Sequence, residues 1–435
     1  MLLIQNGYIA DPKSGTEGVK DILIRGERIE AVGEDLFTAI KEGRFMECEC
    51  ADTTLQIIDA TGLTVLPGLI DVHTHFRDPG FTYKEDIITG AAAAAKGGFT
   101  TVVLMANTKP VVDNIDTLTY VFDKGKTTPI RVESCAAVSY GLKGEEITDM
   151  EKLHSVGAAG FTDDGIPLMD EELVRQAMLR TRKLNVPISF HEENPKLITN
   201  NGVNAGIASA HYGIGGSPRE AEISLVERDL KIAVETDAIM DVQHISARET
   251  VELIREAKKK SANIHAEACP HHFTLTEEAV IEYGTLAKMN PPLRTEEDRQ
   301  AIIAGLLDGT IDMIATDHAP HSKEEKDKPI TEAPSGIIGL ETAFSLAYEE
   351  LVDKHGMSLA TLADRMSYAP AKMYGFVKRG YIEEGALADL VLIDTNKTWI
   401  AGDYASKSSN SPFTGKELKA VIVKTICDGK IAYEK

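Results

Sequence analysis

The sequence predicts an α/β fold, a (β/α)8 TIM-like barrel with a small β-sandwich domain built from both chain termini. Eight strand-like segments alternate with helix-like segments in the middle of the chain, and both ends carry strand and hairpin patterns without a long helix. An open doubly wound sheet would place a Gly-rich nucleotide loop after its first strand, whereas this chain has Thr74-His-Phe-Arg-Asp-Pro-Gly80 there. We therefore expect the barrel at residues 64–375 and the composite β-sandwich at residues 1–63 and 376–435.

The composition limits the kinds of partner that this chain is expected to bind. Its 435 residues are more than one small core needs, and 46 basic against 68 acidic side chains give a formal charge of −22. Such an acidic balance argues against nucleic acid as a partner. No stretch reaches the roughly 18 consecutive apolar residues of a membrane span, and the first residues lack the pattern of a secretory signal. We expect a cytoplasmic protein that binds neither membrane nor nucleic acid.

The five cysteines show no disulfide pattern. They include no C-x-x-C pair, and Cys135 and Cys269 lie inside apolar strand patterns, as small core residues do. Cys48 and Cys50 are close enough in sequence for a two-thiol metal clip, but the chain has no second pair to complete one. We expect the cysteines to be reduced.

Both ends of the chain are rich in predicted strands. These segments cover residues 2–4, 21–24, 29–32, 55–58, 388–393, 420–424 and 428–431. Neither end alone has enough strands to bury one face of a sheet. We therefore expect the two ends to meet in one small β-sandwich.

The middle of the chain alternates between the two periodicities of regular structure. The predicted strands cover residues 64–75, 100–107, 131–138, 158–164, 186–193, 238–246, 263–272 and 311–321. Helical periodicity is evident at residues 84–96, 170–184, 217–234, 247–260 and 296–307. In a barrel of this kind the functional site lies at the carboxyl ends of the strands, so the residues that end each strand are the candidates for chemistry.

The first barrel strand ends in a pair of histidines, His73 and His75. A strand projects alternate side chains to the same side, so both imidazoles point together, as two metal ligands do. A His-x-His pair by itself is weak support, because most such pairs are surface or core histidines. Its meaning depends on whether other strand ends supply further ligands.

Other strand ends supply similar groups. Strand four ends in Phe161-Thr-Asp-Asp-Gly165, strand five in Phe190-His-Glu-Glu193, strand six in Val242-Gln-His-Ile-Ser246 and strand eight in Ala315-Thr-Asp-His-Ala-Pro-His321. Four histidines and two carboxylates thus reach one rim of the barrel from five strands. Imidazole and carboxylate together suit zinc, manganese or cobalt, and six such groups are enough for two ions that share a bridging ligand.

Five short motifs lie at these strand ends and in the loops beside them. They are His73-Thr-His-Phe-Arg-Asp-Pro-Gly80, Asn107-Thr-Lys-Pro110, Phe161-Thr-Asp-Asp-Gly165, Met289-Asn-Pro-Pro-Leu-Arg294 and Thr316-Asp-His-Ala-Pro-His321. Together they resemble the type I bacterial dihydroorotases of the amidohydrolase superfamily, and the likeness runs from about residue 60 to residue 375. The resemblance implies a dihydroorotase that interconverts (S)-dihydroorotate and N-carbamoyl-L-aspartate in de novo pyrimidine biosynthesis, by means of a metal-bound hydroxide.

The resemblance also implies a ligand set for Zn²⁺, with one or two ions in each subunit and two expected. One ion would be held by His73, His75 and Asp317, and the second by His191 and His244, with Asp164 as the bridge between them. Many superfamily members place a carboxylated lysine at the end of strand four, where this chain has Asp163 and Asp164. That difference favours the bacterial dihydroorotases over dihydropyrimidinases, hydantoinases and allantoinases.

Strand geometry favours Asp164 over Asp163 as the bridge. The residues that share a side of the strand with Asp164 are small, as a crowded barrel interior requires, whereas Phe161 shares the side of Asp163. We expect Asp163 to cap a helix or to support a ligand instead.

The resemblance assigns the remaining roles at the rim. Asp317 would take a proton from the hydroxide and deliver it to the leaving ring nitrogen. Arg77, Asn107 and His321 would bind the substrate carboxylate, and Asn290 would bind the ring. The alternative for Arg77 is an ion pair with Asp78, its neighbour in the sequence.

Two rival functions stay open at the level of sequence. One is another cyclic amidohydrolase, namely a dihydropyrimidinase, hydantoinase or allantoinase. The other is a non-catalytic paralogue that serves as a scaffold for aspartate transcarbamoylase, although such paralogues lose ligands and this chain keeps all six. The resemblance further implies a homodimer and suggests an association with aspartate transcarbamoylase.

Overall fold

The computed structural model describes residues 1–45 and 55–435, so the predicted thiol pair Cys48 and Cys50 lies outside the described residues. Sixteen strands occur in the described part of the chain. They are β1 (Leu2–Ala10), β2 (Glu17–Arg25), β3 (Arg28–Gly33), β4 (Gln56–Asp59), β5 (Thr64–Pro67), β6 (Leu69–Thr74), β7 (Phe99–Leu104), β8 (Arg131–Ala136), β9 (Gly160–Thr162), β10 (Ile188–Phe190), β11 (Met240–Val242), β12 (Ile264–Ala268), β13 (Met313–Ile314), β14 (Leu390–Ile400), β15 (Glu417–Cys427) and β16 (Lys430–Glu434).

Fifteen α-helical segments accompany these strands within the same residues. They are α1 (Leu36–Lys41), α2 (Ile87–Lys96), α3 (Ile115–Gly125), α4 (Met150–Val156), α5 (Glu171–Leu184), α6 (Ile207–Tyr212), α7 (Arg219–Thr236), α8 (Arg248–Lys258), α9 (Pro270–Thr274), α10 (Glu278–Tyr283), α11 (Glu296–Asp308), α12 (Lys323–Lys326), α13 (Ala343–Ala347), α14 (Leu359–Ala363) and α15 (Ala369–Met373). None of the described helices is both long and apolar enough to cross a membrane.

Strands β6 to β13 form the predicted barrel. Each strand pairs in parallel with the next one along the chain, in the order β6 to β13. The first and last strands close the circle, because the amide of His75 donates a hydrogen bond to the carbonyl of His318 at 2.9 Å. The predicted fold class is therefore confirmed, with strands that are shorter than the sequence patterns suggest.

A buried carboxylate reinforces this closure. Asp71 in β6 accepts hydrogen bonds from the hydroxyl of Thr316 at 2.6 Å and from its amide at 3.2 Å. Burial raises the pKa of Asp71 to about 7. The carboxyl group thus ties the first barrel strand to the segment that follows the last one.

The predicted first barrel strand is in fact two strands that belong to different sheets. Thr64–Pro67 pairs with β14 and β1 in the terminal sheet, and Leu69–Thr74 starts the barrel. Gly68 separates them, and a Cβ atom at this position would lie 2.3 Å from the side-chain oxygen of Thr100. Only glycine permits this close passage between the two sheets. The domain boundaries at residues 63 and 376 stay a prediction.

The two ends of the chain meet in one eight-stranded sheet, as predicted. Its order is β16-β15-β14-β5-β1-β2-β3, and β4 pairs in parallel with β1. Ile4, Ile22 and Leu390 are among the buried residues of its own hydrophobic cluster, which draws on both ends of the chain. The buried face of this sheet is therefore built from both ends of the chain together.

The seventh predicted strand ends earlier than its pattern suggests. Strand β12 stops at Ala268, and His271 and His272 lie in helix α9 rather than at the end of the strand. Pro270 is the first residue of that helix, where its missing N–H costs no hydrogen bond, and its fixed φ favours the helical turn. Both histidines are therefore held in a buried helical turn.

Candidate metal centre

The predicted ligands come together at the carboxyl ends of five barrel strands. His73 lies at the end of β6, His191 directly follows β10, and the other ligands follow within three residues of β6, β9, β11 and β13. All six are buried, with exposed fractions of 0 to 6%. The β6–β7 pairing contains a register shift between Asp71 and Thr74, which is the irregularity that re-aims side chains at the rim of a barrel.

His73, His75 and Asp317 form one tight group. The Nε2 atom of His75 lies 2.9 Å from Oδ1 of Asp317, and Nε2 of His73 lies 3.5 Å from the same oxygen. Each residue offers one ligand atom, and the three atoms lie within 4.8 Å of one another. The histidines come from the first barrel strand and Asp317 follows the last one, so these side chains meet around a volume the size of one ion.

Asp164 lies at the middle of the histidine cluster. Its carboxylate oxygens lie 3.4 Å from Nε2 of His73, 3.5 Å from Nε2 of His75, 3.9 Å from Nδ1 of His191 and 3.8 Å from Nε2 of His244. A second group of three ligand atoms within 4.8 Å consists of His73, Asp164 and His244. Asp164 is therefore placed between the two histidine pairs.

His191 and His244 face each other on the other side of Asp164. Nδ1 of His191 lies 2.8 Å from Nε2 of His244, and the rings are nearly perpendicular. Nδ1 of His244 and Nε2 of His73 are buried without a hydrogen-bond partner. Buried nitrogen atoms without partners are costly unless a further group satisfies them.

The charges of the cluster suit a cation. Burial opposes charge on both Asp164 and Asp317, but the surrounding imidazoles, that of His73 first, hold the pKa of each carboxyl below its ordinary value. Burial likewise opposes a charge on His73, yet Glu267, Asp164 and Asp317 together raise its pKa well above the ordinary value. The carboxylates of Asp164 and Asp317 are therefore ionised, and their negative charge attracts cations to the cluster.

Asp163 has a different set of partners from Asp164. It accepts hydrogen bonds from the amides of Val138 at 2.7 Å and Ser139 at 3.1 Å, and from the hydroxyl of Ser139. Burial raises the pKa of Asp163 to about 6. Its carboxylate thus holds the loop that follows β8 instead of facing the histidines.

Arg77 reaches the same rim and makes no pair with Asp78. Its Nε atom donates to the carbonyl of Pro320 at 3.3 Å, whereas Asp78 accepts from the hydroxyl of Tyr120 at 2.9 Å and from the ammonium of Lys124. Burial lowers the pKa of the Arg77 guanidinium. The alternative that Arg77 is neutralised by its sequence neighbour is therefore wrong.

His321 also lies at the rim, with protein partners for both ring nitrogens. Its Nε2 atom lies 2.8 Å from the carbonyl of Ser335, and its Nδ1 atom lies 3.3 Å from the ammonium of Lys84. A carbonyl only accepts and an ammonium only donates, so Nε2 carries the proton and Nδ1 is the acceptor. Lys84 was missed in the sequence, where it reads as one charge in a polar loop.

Two asparagines connect the ligands to the cavity. Asn107 accepts from Nδ1 of His75 at 3.0 Å and donates to the carboxylate of Asp164 at 3.0 Å, so it bridges two ligands. The side-chain nitrogen of Asn290 lies 3.2 Å from Nε2 of His191, while its oxygen is buried without a partner. Asn290 thus has a free acceptor next to the cluster.

Glu267 is a buried carboxylate that the sequence analysis did not single out. Its Oε1 atom lies 2.5 Å from Nδ1 of His73 and accepts from the amide of His244 at 3.2 Å. A carboxylate on Nδ1 leaves Nε2 of the same ring available to a metal ion, and this is the usual support of a metal-bound histidine. One indication of this role is present in the sequence, an acidic residue inside the apolar strand Ile264–Ala268, but no sequence pattern indicates which histidine this residue contacts.

A cavity of about 260 Å³ opens over the cluster. Nine of the ten predicted site residues line it, namely His75, Arg77, Asn107, Asp164, His191, His244, Asn290, Asp317 and His321. The tenth, His73, is fully buried beneath them. Ser335 and Gly336 also line the cavity.

Three of the site residues adopt a left-handed backbone conformation. The φ angles are 58° at Arg77, 32° at His244 and 44° at Asp317. Such a conformation costs a residue with a Cβ atom about 1–2 kcal/mol, and it persists where the surrounding structure over-determines it. The rim therefore holds its functional side chains in positions that ordinary strand ends do not reach.

Comparisons with known proteins agree with this geometry. The model of the amidohydrolase family matches residues 64–432. The chain is 51% identical to the curated dihydroorotase of Clostridioides difficile, 48% to that of Clostridium acetobutylicum and 45% to that of Lactococcus lactis. These matches cover all of this chain and 99 to 100% of each relative.

Solved structures with the same fold include two enzymes from other bacteria. An L-hydantoinase (dihydropyrimidinase) from Arthrobacter aurescens superposes with a TM-score of 0.86 at 24% identity and covers 100% of this chain and 96% of its own. A dihydropyrimidinase from Brevibacillus agri superposes with a TM-score of 0.83 at 24% identity, with coverages of 99% and 95%. At this identity the likeness concerns the fold alone.

Proposed function

We propose that the rim cavity interconverts (S)-dihydroorotate and N-carbamoyl-L-aspartate, because this chain belongs to the amidohydrolase family and within it to the dihydroorotases. Membership rests on the family match over residues 64–432 and on dihydroorotase relatives at 45 to 51% identity over the full chain. These relatives confirm the prediction that the chain is a hydrolase that acts on a cyclic amide. The observation that supports the proposed site is that nine predicted residues line one cavity over a buried cluster of histidines and aspartates.

The buried cluster fits zinc, and two ions are proposed. Nitrogen and carboxylate oxygen donors are the ligands that zinc prefers, and Nε2 of His73, which has no hydrogen-bond partner, lies 3.4 Å from Asp164 and 3.5 Å from Asp317. His73, His75 and Asp317 would hold one ion, His191 and His244 the other, and Asp164 would be shared between them. Zinc bound there supplies a Lewis acid that polarises the amide carbonyl and makes water a stronger acid.

Substrate binding is proposed for the four polar residues of the rim. Arg77 presents a guanidinium fork to the substrate carboxylate, with Asn107 and His321 beside it. The unpartnered oxygen of Asn290 is an acceptor for a ring N–H of the substrate. His321 is buried, and Arg77, Asn107 and Asn290 are half-buried, so these contacts are partly shielded from water and each is stronger than on an open surface.

Asp317 is proposed as the residue that moves the proton. Its carboxylate is ionised, lines the cavity and lies 2.9 Å from Nε2 of His75. In the hydrolytic direction it would take the proton of the attacking hydroxide and deliver it to the ring nitrogen as the C–N bond breaks. In the reverse direction the same group takes the proton from the carbamoyl nitrogen.

Replacement of Asp317 by Asn tests this role. The amide is neutral and cannot accept the proton, so we expect turnover to fall by roughly 10²–10⁴-fold in both directions. Turnover is measured with dihydroorotate and with N-carbamoyl-aspartate, and zinc is counted on the same samples. Near-full turnover with an unchanged metal content would contradict the assignment.

The same assay separates the rival functions. Purified protein is offered dihydroorotate, hydantoin, dihydrouracil and allantoin with its metal content known. Preference for any of the last three would favour the other cyclic amidohydrolases, and no turnover with a full metal complement would favour the non-catalytic scaffold.

Several further expectations remain proposals that the family resemblance supports. They are the homodimer, the association with aspartate transcarbamoylase and the cytoplasmic location. The division into a barrel at residues 64–375 and a composite domain at residues 1–63 and 376–435 is proposed in the same way.

A further inference from the structure

A second cluster of metal-binding side chains lies at the start of helix α9, apart from the six ligands described above. Cys269, His271 and His272 each offer one ligand atom, and these three atoms lie within 4.8 Å of one another. Their exposed fractions are 0%, 2% and 3%. Cys269 directly precedes Pro270, so the turn of α9 brings the thiol and both imidazoles together over only four residues.

The cluster contains nitrogen atoms that the protein leaves without partners. Nε2 of His271 and Nδ1 of His272 are buried and have no hydrogen-bond partner. These two atoms belong to neighbouring rings whose centroids lie 4.4 Å apart. A packing role alone does not explain them, because an apolar side chain would fill the same space without this cost.

One ring is already held in the form that binds a metal. Nε2 of His272 lies 2.9 Å from the carbonyl of Pro291, which can only accept a hydrogen bond. Nε2 therefore carries the proton, and the unpartnered Nδ1 keeps its lone pair free. A backbone carbonyl on the far nitrogen is the usual support of a metal-bound imidazole.

The donor atoms select a different chemistry from the catalytic centre. One thiolate and two neutral imidazoles suit zinc and softer cations, whereas the catalytic centre has nitrogen and oxygen donors only. We infer that Cys269, His271 and His272 form a separate binding site for a thiophilic metal cation of the zinc class. The Cys269 thiol loses its proton to solvent when the metal–sulfur bond forms, so the bound group carries one net positive charge with Zn²⁺. This inference does not depend on the proposed function.

Cobalt substitution tests the site, because a cobalt–thiolate bond gives an intense near-ultraviolet charge-transfer band that cobalt bound to nitrogen and oxygen lacks. The full chain is stripped of metal and titrated with Co²⁺. We expect the band in the wild type and its loss in Cys269→Ser, with one metal ion fewer per chain. No band in the wild type, or a band that survives in Cys269→Ser, would overturn the inference.

Other cysteines supply the matched controls. Cys135→Ser removes another buried thiol, and the double variant Cys48→Ser/Cys50→Ser removes the pair that lies outside the described residues. Both are expected to keep the band. Loss of the band in the double variant would assign the thiolate to the Cys48/Cys50 clip and overturn the site at Cys269.

A histidine variant covers the case in which Cys269→Ser fails to fold. His271→Gln keeps the thiol and removes one nitrogen ligand, and we expect cobalt to bind the thiolate at least about tenfold more weakly. Dihydroorotase turnover is recorded on the same samples. Absence of turnover in the wild type with an intact band would count against the proposed function only, whereas an unchanged cobalt affinity in His271→Gln would overturn this inference only.

Discussion

Glu267 illustrates how a single residue supports two metal ligands at once. Its buried carboxylate contacts the ring of His73 and the backbone of His244, one ligand from each of the two proposed ion sites. An ionised partner on Nδ1 makes the opposite nitrogen of His73 a better donor and holds the ring in place. We therefore expect metal affinity at the proposed centre to depend on Glu267, although Glu267 is not one of the proposed ligands.

Replacement of Glu267 by Gln is expected to weaken zinc binding by about 10–100-fold, because the amide keeps the volume and removes the charge. The zinc dissociation constant is measured by competition with a coloured chelator. Glu341→Gln is the matched control, since Glu341 is also buried but accepts from the amides of Ala405 and Ser406. Equal zinc affinity in Glu267→Gln and the wild type would contradict the positioning role.

Lys326 shows how a buried charge holds a segment of the rim. Its ammonium donates to the carbonyls of Pro334 at 2.9 Å and Gly336 at 3.0 Å, and the side chain is 3% exposed. Burial lowers the pKa of Lys326 from 10.5 to about 7. Between these two pH values the unfolded chain binds a proton that the folded chain does not, so the free energy of unfolding rises with pH across this window.

Lys326→Met is expected to remove this pH dependence. The free energy of unfolding of the wild type, minus that of the variant, should rise by roughly 3–5 kcal/mol between pH 7 and pH 10.5. The measurement is guanidinium unfolding at a series of pH values. Lys323→Met, an exposed position in the same helix, should follow the wild type, and parallel curves for Lys326→Met would refute the prediction.

At the scale of elements, the loop after β6 depends on one glycine. Gly80 has a φ of +101°, and a Cβ atom there would lie 2.1 Å from the carbonyl oxygen of Lys109. The amide of Lys109 in turn donates to the carbonyl of Pro79 at 3.1 Å. The loops after β6 and β7 are thus pressed together next to Arg77.

Gly80→Ala is expected to lower the free energy of unfolding by about 2–4 kcal/mol, from backbone strain and from the contact with Lys109 together. The Michaelis constant for dihydroorotate should rise, because the loop that carries Arg77 must shift. Gly62→Ala is the matched control, since Gly62 has a φ of +78° and nothing within 4 Å of its Cβ position. Equal destabilisation by both variants, measured by denaturant unfolding, would show that the contact is unimportant.

At the scale of the whole molecule, Arg131 joins the barrel to the terminal sheet. It is the first residue of β8, and its guanidinium contacts the carboxylates of Asp389 and Asp428 from the last part of the chain. Asp389 is 3% exposed, and burial raises its pKa. The Arg131 guanidinium therefore links the barrel to the terminal sheet, and removing its charge would destabilise the contact between them.

Arg131→Met is expected to cost about 3–5 kcal/mol of stability, because it leaves the buried Asp389 carboxylate without its ion-pair partner. Thermal and denaturant unfolding measure the loss. Arg175→Met breaks a pair whose side chains are 35% and 44% exposed, and it should cost no more than about 1 kcal/mol. A similar small loss in both variants would mean that Arg131 is not the joint between the two parts.

The sequence by itself determined the architecture and most of the residues that meet in the candidate metal centre. Period-two and helical patterns predicted eight barrel strands, and the carboxyl ends of parallel strands must share one rim, so His73, His75, His191, His244 and Asp317 were expected together. The choice of Asp164 over Asp163 followed from strand alternation, and the structure places the Asp164 carboxylate among the histidines. Local periodicity was sufficient to predict these features because it depends only on residues that are near neighbours in the chain.

Only the tertiary structure decided which side chains touch across the barrel. The contact of Glu267 with His73 spans 194 positions, the contact of Lys84 with His321 spans 237, and neither leaves a local pattern. The split of the first strand at Gly68 and the helical turn that gathers Cys269, His271 and His272 were likewise invisible in the sequence. Strand register, loop path and close packing set these distances, and they arise only when the whole chain is folded.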